Sequence, residues 1–296
     1  MLTPFTDQNE VDFQGLERLI HWYEEGGASG LFSVCLSSEM FNLSLGERVA
    51  IARFVRDHSR LPVVASGHLN GDFEQQVEDL QAMVGTGVDA VVMISSSLAS
   101  EDESDSVLLR NLERLMDRLD PSMDLGIYEC PVPYKRVLSD EVLAFIVETG
   151  RFTFLKDTCC DINRIKRRLH LIKDTPLKLF NAHADTLVES LLHGTDGYSG
   201  VQANCSIKLL RTICDHFAEA DSMDESLDLL RRVAEFLPAH HYHIAAKEVL
   251  RMRGVISSNH TRAVDMTLFE EDDRSAAASM FEELEAYEDR LTAIPD

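Results

Sequence analysis

The stretch RFTFLKD, residues 151–157, decides the reading of this chain. It follows a glycine, is short, and is rich in residues that favour strands. Before it, DEVLAFIVETG (140–150) carries apolar residues at helical spacing, and after it INRIKRRLHLIKD (162–174) does the same. The strand therefore sits between two helices, which calls for a parallel neighbour on each side.

The alternation extends in both directions. Towards the N-terminus, strands are expected at GASGLFSVC (27–35), LPVVASGH (61–68), VDAVVMISS (88–96) and DLGIYECPVP (124–133). Helices are expected at 12–26, 44–59, 72–87 and 106–119. Towards the C-terminus, LKLFNAH (177–183) and DGYSGVQAN (196–204) read as strands around the helical TLVESLLHGT (186–195). That makes seven strands, with an eighth expected just ahead of TPF (3–5). Eight βα units in roughly 200 residues fit a (β/α)8 TIM barrel of the α/β class, not an open doubly wound sheet. Neither a GxGxxG nor a P-loop is present, which weighs against dinucleotide binding and NTP hydrolysis. From residue 206 the pattern is helical throughout: 206–220, 223–239, 243–254 and 275–294. The expected division is a barrel over 1–205, then the last barrel helix and a C-terminal helical extension over 206–296.

Composition narrows the function. The 296 residues carry a formal net charge of -23, with 45% hydrophobic and 27% charged residues. Such a surface repels nucleic acid and anionic lipid, so neither is an expected partner. No apolar run reaches the ~18 residues of a membrane span, and MLTPFTDQNEVDF lacks the basic and apolar regions of a signal peptide. The expected location is the cytoplasm. The six cysteines (Cys35, Cys130, Cys159, Cys160, Cys205 and Cys214) include no CxxC pair and no zinc-type spacing, so reduced thiols are expected. The acidic run EDESD (101–105) reads as a solvated loop.

A barrel places its chemistry at the C-terminal ends of its strands. Lys156, Tyr128, Ser37, Glu39 and His183 all fall there. The order TPF (3–5), LSSE (36–39), LxxxER (43–48), YxxP (128–131) and LKD (155–157), with AAK at 245–247, resembles the dihydrodipicolinate synthase and N-acetylneuraminate lyase superfamily over essentially the whole chain.

The resemblance implies class I aldolase or lyase chemistry. Lys156 is then the amine that forms a Schiff base with pyruvate or another 2-oxo acid, and Tyr128 moves protons between carbinolamine and imine. Ser37, Ser38, Thr3 and Ser199 are expected to bind the substrate, Ser37 and Ser38 by holding its carboxylate. Such a lysine must be neutral part of the time, which burial favours. No cofactor and no metal is implied. The partners implied are a 2-oxo acid and an aldehyde, and the family's habit implies a homo-oligomer, dimer or tetramer.

Several positions depart from the family pattern. The usual Gly-Thr-Thr-Gly-Glu loop is Cys35-Leu36-Ser37-Ser38-Glu39 here, without either glycine. ISSS (94–97) stands where the synthases carry a relay tyrosine. Pro133 stands where they carry an arginine for the second substrate's carboxylate, with Lys135 and Arg136 just beyond. Glu129 replaces an asparagine. Glu39 reads as structural and His183 as a rim residue, and the HHYH run (240–243) lacks the acidic cluster of a metal site. Three alternatives stay open: 4-hydroxy-tetrahydrodipicolinate synthase itself, a barrel that binds a 2-oxo acid or sugar acid without turnover, and a metal-dependent barrel using Glu129, His183 and Asp185.

Overall fold

The computed structural model describes residues 1–69, 71–219 and 223–293. Its seven strands are β1 (Leu31–Phe32), β2 (Val63–Ser66), β3 (Ala90–Ile94), β4 (Leu125–Tyr128), β5 (Phe152–Asp157), β6 (Lys178–Asn181) and β7 (Gly197–Tyr198). They form one sheet in sequence order, and every pair is parallel. Each is shorter than the sequence pattern implied, because the pattern also counts the loop residues that continue a strand's direction. ISSS, read as the end of a strand, largely turns into the short helix α4 (Ser95–Leu98).

The outer helices are α1 (Phe13–Glu25), α2 (Leu45–His58), α3 (Phe73–Val84), α5 (Asp105–Met116), α6 (Asp140–Glu148), α7 (Ile162–Leu171), α8 (Leu187–Leu192) and α9 (Ile207–His216). Local chemistry fixes several starts. Ser44 and Glu47 form a reciprocal capping box on α2, Ser139 caps α6, and Asp161 caps α7 by accepting from the Asn163 and Arg164 N–H groups. The helices α10 (Asp224–Ala239), α11 (Tyr242–Met252) and α12 (Glu271–Ala293) complete the chain. The helix ends expected at Ala220 and Ile294 lie outside the described residues.

The sheet curls. Phe32 of β1 meets Tyr128 of β4 and Phe154 of β5, with ring centroids 5.6 and 5.4 Å apart. Residues three and four strands away can touch only if the sheet bends round on itself. Among the described residues no strand joins β7 to β1, and the eighth strand expected ahead of TPF is not formed. Pro4 offers no N–H to a ladder. The Met1 nitrogen donates to Phe32 O at 2.8 Å, and Phe5 makes only an isolated bridge to Val11. A cavity of about 420 Å³ lies between the two strands, with Leu31, Phe32, Gly197 and Tyr198 on its walls and Ile207 and Leu210 of α9 beside it.

The C-terminal helices return to the mouth of the sheet. Tyr242, His243 and Lys247, all on α11, reach the loop after β1, where they bond to Ser37, Leu36 and Glu39.

Candidate active site

Tyr128 and Lys156 are direct partners in the β4–β5 register. Residues paired in a parallel ladder point to the same face, so both side chains enter the interior. The Lys156 ammonium position lies 4.8 Å from the Tyr128 ring centroid and 5.7 Å from that of Phe32. Lys156 is only 6% exposed and makes no ion pair among the described residues. Burial pushes its pKa down, against a smaller upward pull from the Cys35 and Cys130 thiols. Burial pushes the Tyr128 phenol well above its ordinary range, so it stays a proton donor at neutral pH.

A hydroxyl chain stands beside the lysine. Tyr242 donates to Ser37 at 2.8 Å, Asn204 donates to Tyr242 at 2.7 Å, and Tyr23 donates to Asn204 at 2.9 Å. The 3-10 turn Leu36–Ser38 presents Ser37 to this chain. It closes on Glu39, whose φ of 62° is left-handed. With neither glycine in the loop, the left-handed turn falls on Glu39, which is held there by its carboxylate. Glu39 accepts from Lys247 at 2.5 Å and from the Arg262 and Ala263 N–H groups at 2.5 and 2.9 Å. Burial alone would raise its pKa, but the Lys247 charge and these bonds hold it below the usual range.

A cavity of about 270 Å³ opens over Lys156, walled by Tyr128, Ser37, Tyr242, Lys135, Cys160 and His243 among others, and no aspartate or glutamate among the described residues lines it. In a chain of net charge -23 that is a local inversion of sign. Lys135 hydrogen-bonds to the Cys160 thiol at 3.7 Å and has no carboxylate partner among the described residues. Arg136, which sequence left as its alternative, is turned away to Asp105, Ser100 O and Glu103 O.

The expected site residues thus divide. Lys156, Tyr128 and Ser37 share the cavity. Ser199 lines the seam between β7 and β1, whose cavity Lys156 and Ser37 also border. Thr3 and Ser38 lie behind the loop, where Thr3 donates to Ser38 O and the Ser38 hydroxyl points at Ser33 O and Met1 O. The Ser38 N–H is spent on Cys35 O, so Ser38 has no free donor for a carboxylate. His183 bonds to Thr186 and borders neither cavity. Glu129 is sealed against Arg168, away from His183 and Asp185, and no group of three His, Cys, Asp or Glu side chains among the described residues could hold a metal ion. Sequence reading missed Tyr242, and its only trace was an aromatic inside HHYH. It also missed Arg168, an arginine at an apolar-phase position of α7.

Residues 1–284 match the model of the dihydrodipicolinate synthetase family. The chain belongs to that family. A 4-hydroxy-tetrahydrodipicolinate synthase of Saccharophagus degradans is 24% identical over 79% of each chain. The putative 2-dehydro-3-deoxy-D-gluconate aldolase YagE of Escherichia coli K12 is 26% identical over 71% of this chain and 70% of its own. The crystal structure of YagE in complex with pyruvate superposes with a TM-score of 0.83 at 21% identity, covering 96% of both chains. A monomeric dihydrodipicolinate synthase variant superposes with a TM-score of 0.84 at 19% identity, covering 96% of this chain and 94% of its own. The structural likeness establishes the family's fold for this chain.

Proposed function

We propose that this protein is a lyase or aldolase that binds pyruvate or another 2-oxo acid as a Schiff base on Lys156. The observation that carries this is a buried lysine with no counter-charge among the described residues, in register with a buried tyrosine, under a cavity that no described carboxylate lines. The neutral amine attacks the keto carbon and the carbonyl oxygen takes up a proton. Loss of water then gives the imine, with Tyr128 handing a proton to the departing hydroxyl. Removal of a proton from the adjacent carbon gives the enamine, which adds to an aldehyde. The same steps in reverse cleave a hydroxylated 2-oxo acid. Ser37, held by Tyr242, offers a hydroxyl to the substrate carboxylate, and Lys135 suits an anionic group on the aldehyde side.

Condensation with aspartate semialdehyde, the reaction of the synthases, is the weaker version of this reading. Pro133 has no donor, and Arg136 is committed elsewhere. A guanidinium grips a carboxylate with two parallel bonds, which Lys135 cannot reproduce.

The test is reductive trapping. Pyruvate, 2-oxobutyrate and 2-oxoglutarate are each added with borohydride, and the tryptic peptides are weighed. The expected adduct sits on Lys156. Its rate rises with pH as the amine loses its proton and levels off below the ~10.4 of an ordinary lysine. No adduct on Lys156 with any 2-oxo acid ends the proposal.

A further inference from the structure

Directly behind the two candidate catalytic side chains lies a group that the chemistry above does not use. Arg168 of α7 is fully buried, as are Glu129 and Asp157. Its guanidinium donates to Glu129 at 2.5 Å, to Asp157, and to Leu138 O at 2.8 Å. Burying three charges is costly, and apolar residues of equal volume often serve stability as well or better. The group also carries one carboxylate more than its single cation balances. Stability gives no reason for it, and position does.

Glu129 follows Tyr128 in the chain and Asp157 follows Lys156. Side chains alternate along a strand, so Tyr128 and Lys156 face the cavity while their neighbours face α7. Each carboxylate also fastens the backbone beyond its strand. Glu129 accepts from Leu138 N at 2.8 Å and from Thr158 N at 2.9 Å, and Asp157 accepts from Cys159 N at 2.8 Å. Three N–H donors converge on Glu129, one of them from Arg168; burial and the neighbouring Asp157 push its pKa up, and the Arg168 charge and the Arg168 and Thr158 bonds pull against them. The one planar fork therefore meets the end of β4, the end of β5 and the loop 129–138 that carries Lys135 over the cavity. A lysine, being a point charge, cannot span all three acceptors.

We propose that Arg168 is a positioning residue that fixes the gap between the ends of β4 and β5, and so the approach of the Tyr128 phenol to the Lys156 amine. This rests on the Schiff-base reading for its catalytic consequence, because misplacing reacting groups by about 1 Å costs on the order of 100-fold in rate.

The test uses Arg168→Lys and Glu129→Gln in the whole chain. Arg168→Lys keeps the charge and loses the fork. Glu129→Gln leaves one carboxylate per guanidinium and sets an amide against Thr158 N. The expected result for both is a limiting rate of borohydride trapping, per folded molecule, about 10- to 100-fold lower, with the pyruvate concentration for half-maximal rate within about threefold of wild type. A merely structural role lowers the melting temperature and leaves that limiting rate unchanged, which would overturn the proposal. Amide hydrogen exchange gives a second readout without substrate. Exchange should quicken at 128–138 and 157–161 in both variants and stay as in wild type along α2 and α3. Unchanged exchange at the two strand ends also overturns the clamp. Failure of wild type to trap any 2-oxo acid counts against the Lys156 reading alone, and the exchange result still decides the role of Arg168.

Discussion

Two buried lysines invite comparison. Lys247 on α11 is fully buried, and its ammonium sits 4.5 Å from the Phe5 ring centroid. Lys156 on β5 is almost as buried and sits against Tyr128 and Phe32. Burial pushes both amines down in pKa, Lys247 to about 8. Their partners differ. Lys247 donates one hydrogen bond to Glu39 at 2.5 Å and another to His260 O at 2.7 Å. Lys156 has neither a carboxylate nor a carbonyl partner among the described residues, and it borders open space instead. A depressed pKa therefore does not by itself identify a nucleophile. An amine that is buried, unpaired and next to a cavity has the means to attack a carbonyl, whereas one that is buried and paired holds two segments together.

The sharpest way to break this contrast is to remove each lysine in turn. Lys156→Ala is expected to abolish borohydride trapping altogether while leaving urea unfolding near wild type. Lys247→Met is expected to keep trapping, per folded molecule, within about threefold. It should lose about 3–5 kcal/mol in urea unfolding, because Glu39 is left as a buried charge without its partner. Trapping that survives Lys156→Ala, or vanishes in well-folded Lys247→Met, reverses the assignment.

Tyr128→Phe sharpens the same contrast at the next scale. If the phenol moves protons for Lys156, imine formation followed by stopped flow slows by about 10²–10⁴-fold. A hydroxyl that only packs against the lysine would cost about 1 kcal/mol of stability and leave the rate alone.

The smallest effect concerns a third buried base, His68, which like Lys247 is hydrogen-bonded, here through both ring nitrogens. Its Nδ1 faces Gln76 Oε1 at 2.9 Å, and its Nε2 accepts from Ile94 N at 2.9 Å. Burial lowers its pKa to about 4. The unfolded chain thus binds a proton that the folded one refuses, and stability falls as pH drops from the ordinary histidine value of ~6.5 towards 4. Between pH 7 and pH 5 the loss from this residue is about 2 kcal/mol. His68→Gln, compared with wild type by urea unfolding at both pH values, should lose that much less on acidification. An equal loss in both chains means that other groups set the acid sensitivity.

The strands and most helices were legible because burial imposes periods of 2 and 3.6 on the apolar residues, and RFTFLKD with its flanking helices shows both. The pairing of Tyr128 with Lys156 was legible because consecutive strands of one parallel sheet align their ends. Other features were not legible, for identifiable reasons. The eighth strand failed because Thr3 bonds to Ser38 O in the loop after β1, and Pro4 O and Phe5 pair with Asp12 N and Val11 just ahead of α1 rather than in a ladder. Ser38 looked like a donor for substrate because a hydroxyl's partner is set by the turn around it, and the turn is invisible in a one-dimensional pattern. Tyr242 and Arg168 lie far from the residues they serve, with Tyr242 205 positions from Ser37 and Arg168 39 from Glu129. Nothing in local sequence encodes such a meeting.

The bond from Tyr242 to Ser37 also has a consequence in time. Its two ends are separated by 205 residues, so at the ~5–20 residues per second of protein synthesis Ser37 waits roughly 10 to 40 s for its partner to be made. In the later part of that interval, once Lys156 has been made, the emerging chain holds Lys156 and Tyr128 but not the hydroxyl that orders Ser37. A nascent chain arrested between β7 and α11 carries Lys156 and Tyr128 without the finished pocket, and the wall supplied by Tyr242 and His243 is added only when α11 leaves the ribosome and folds back over the mouth.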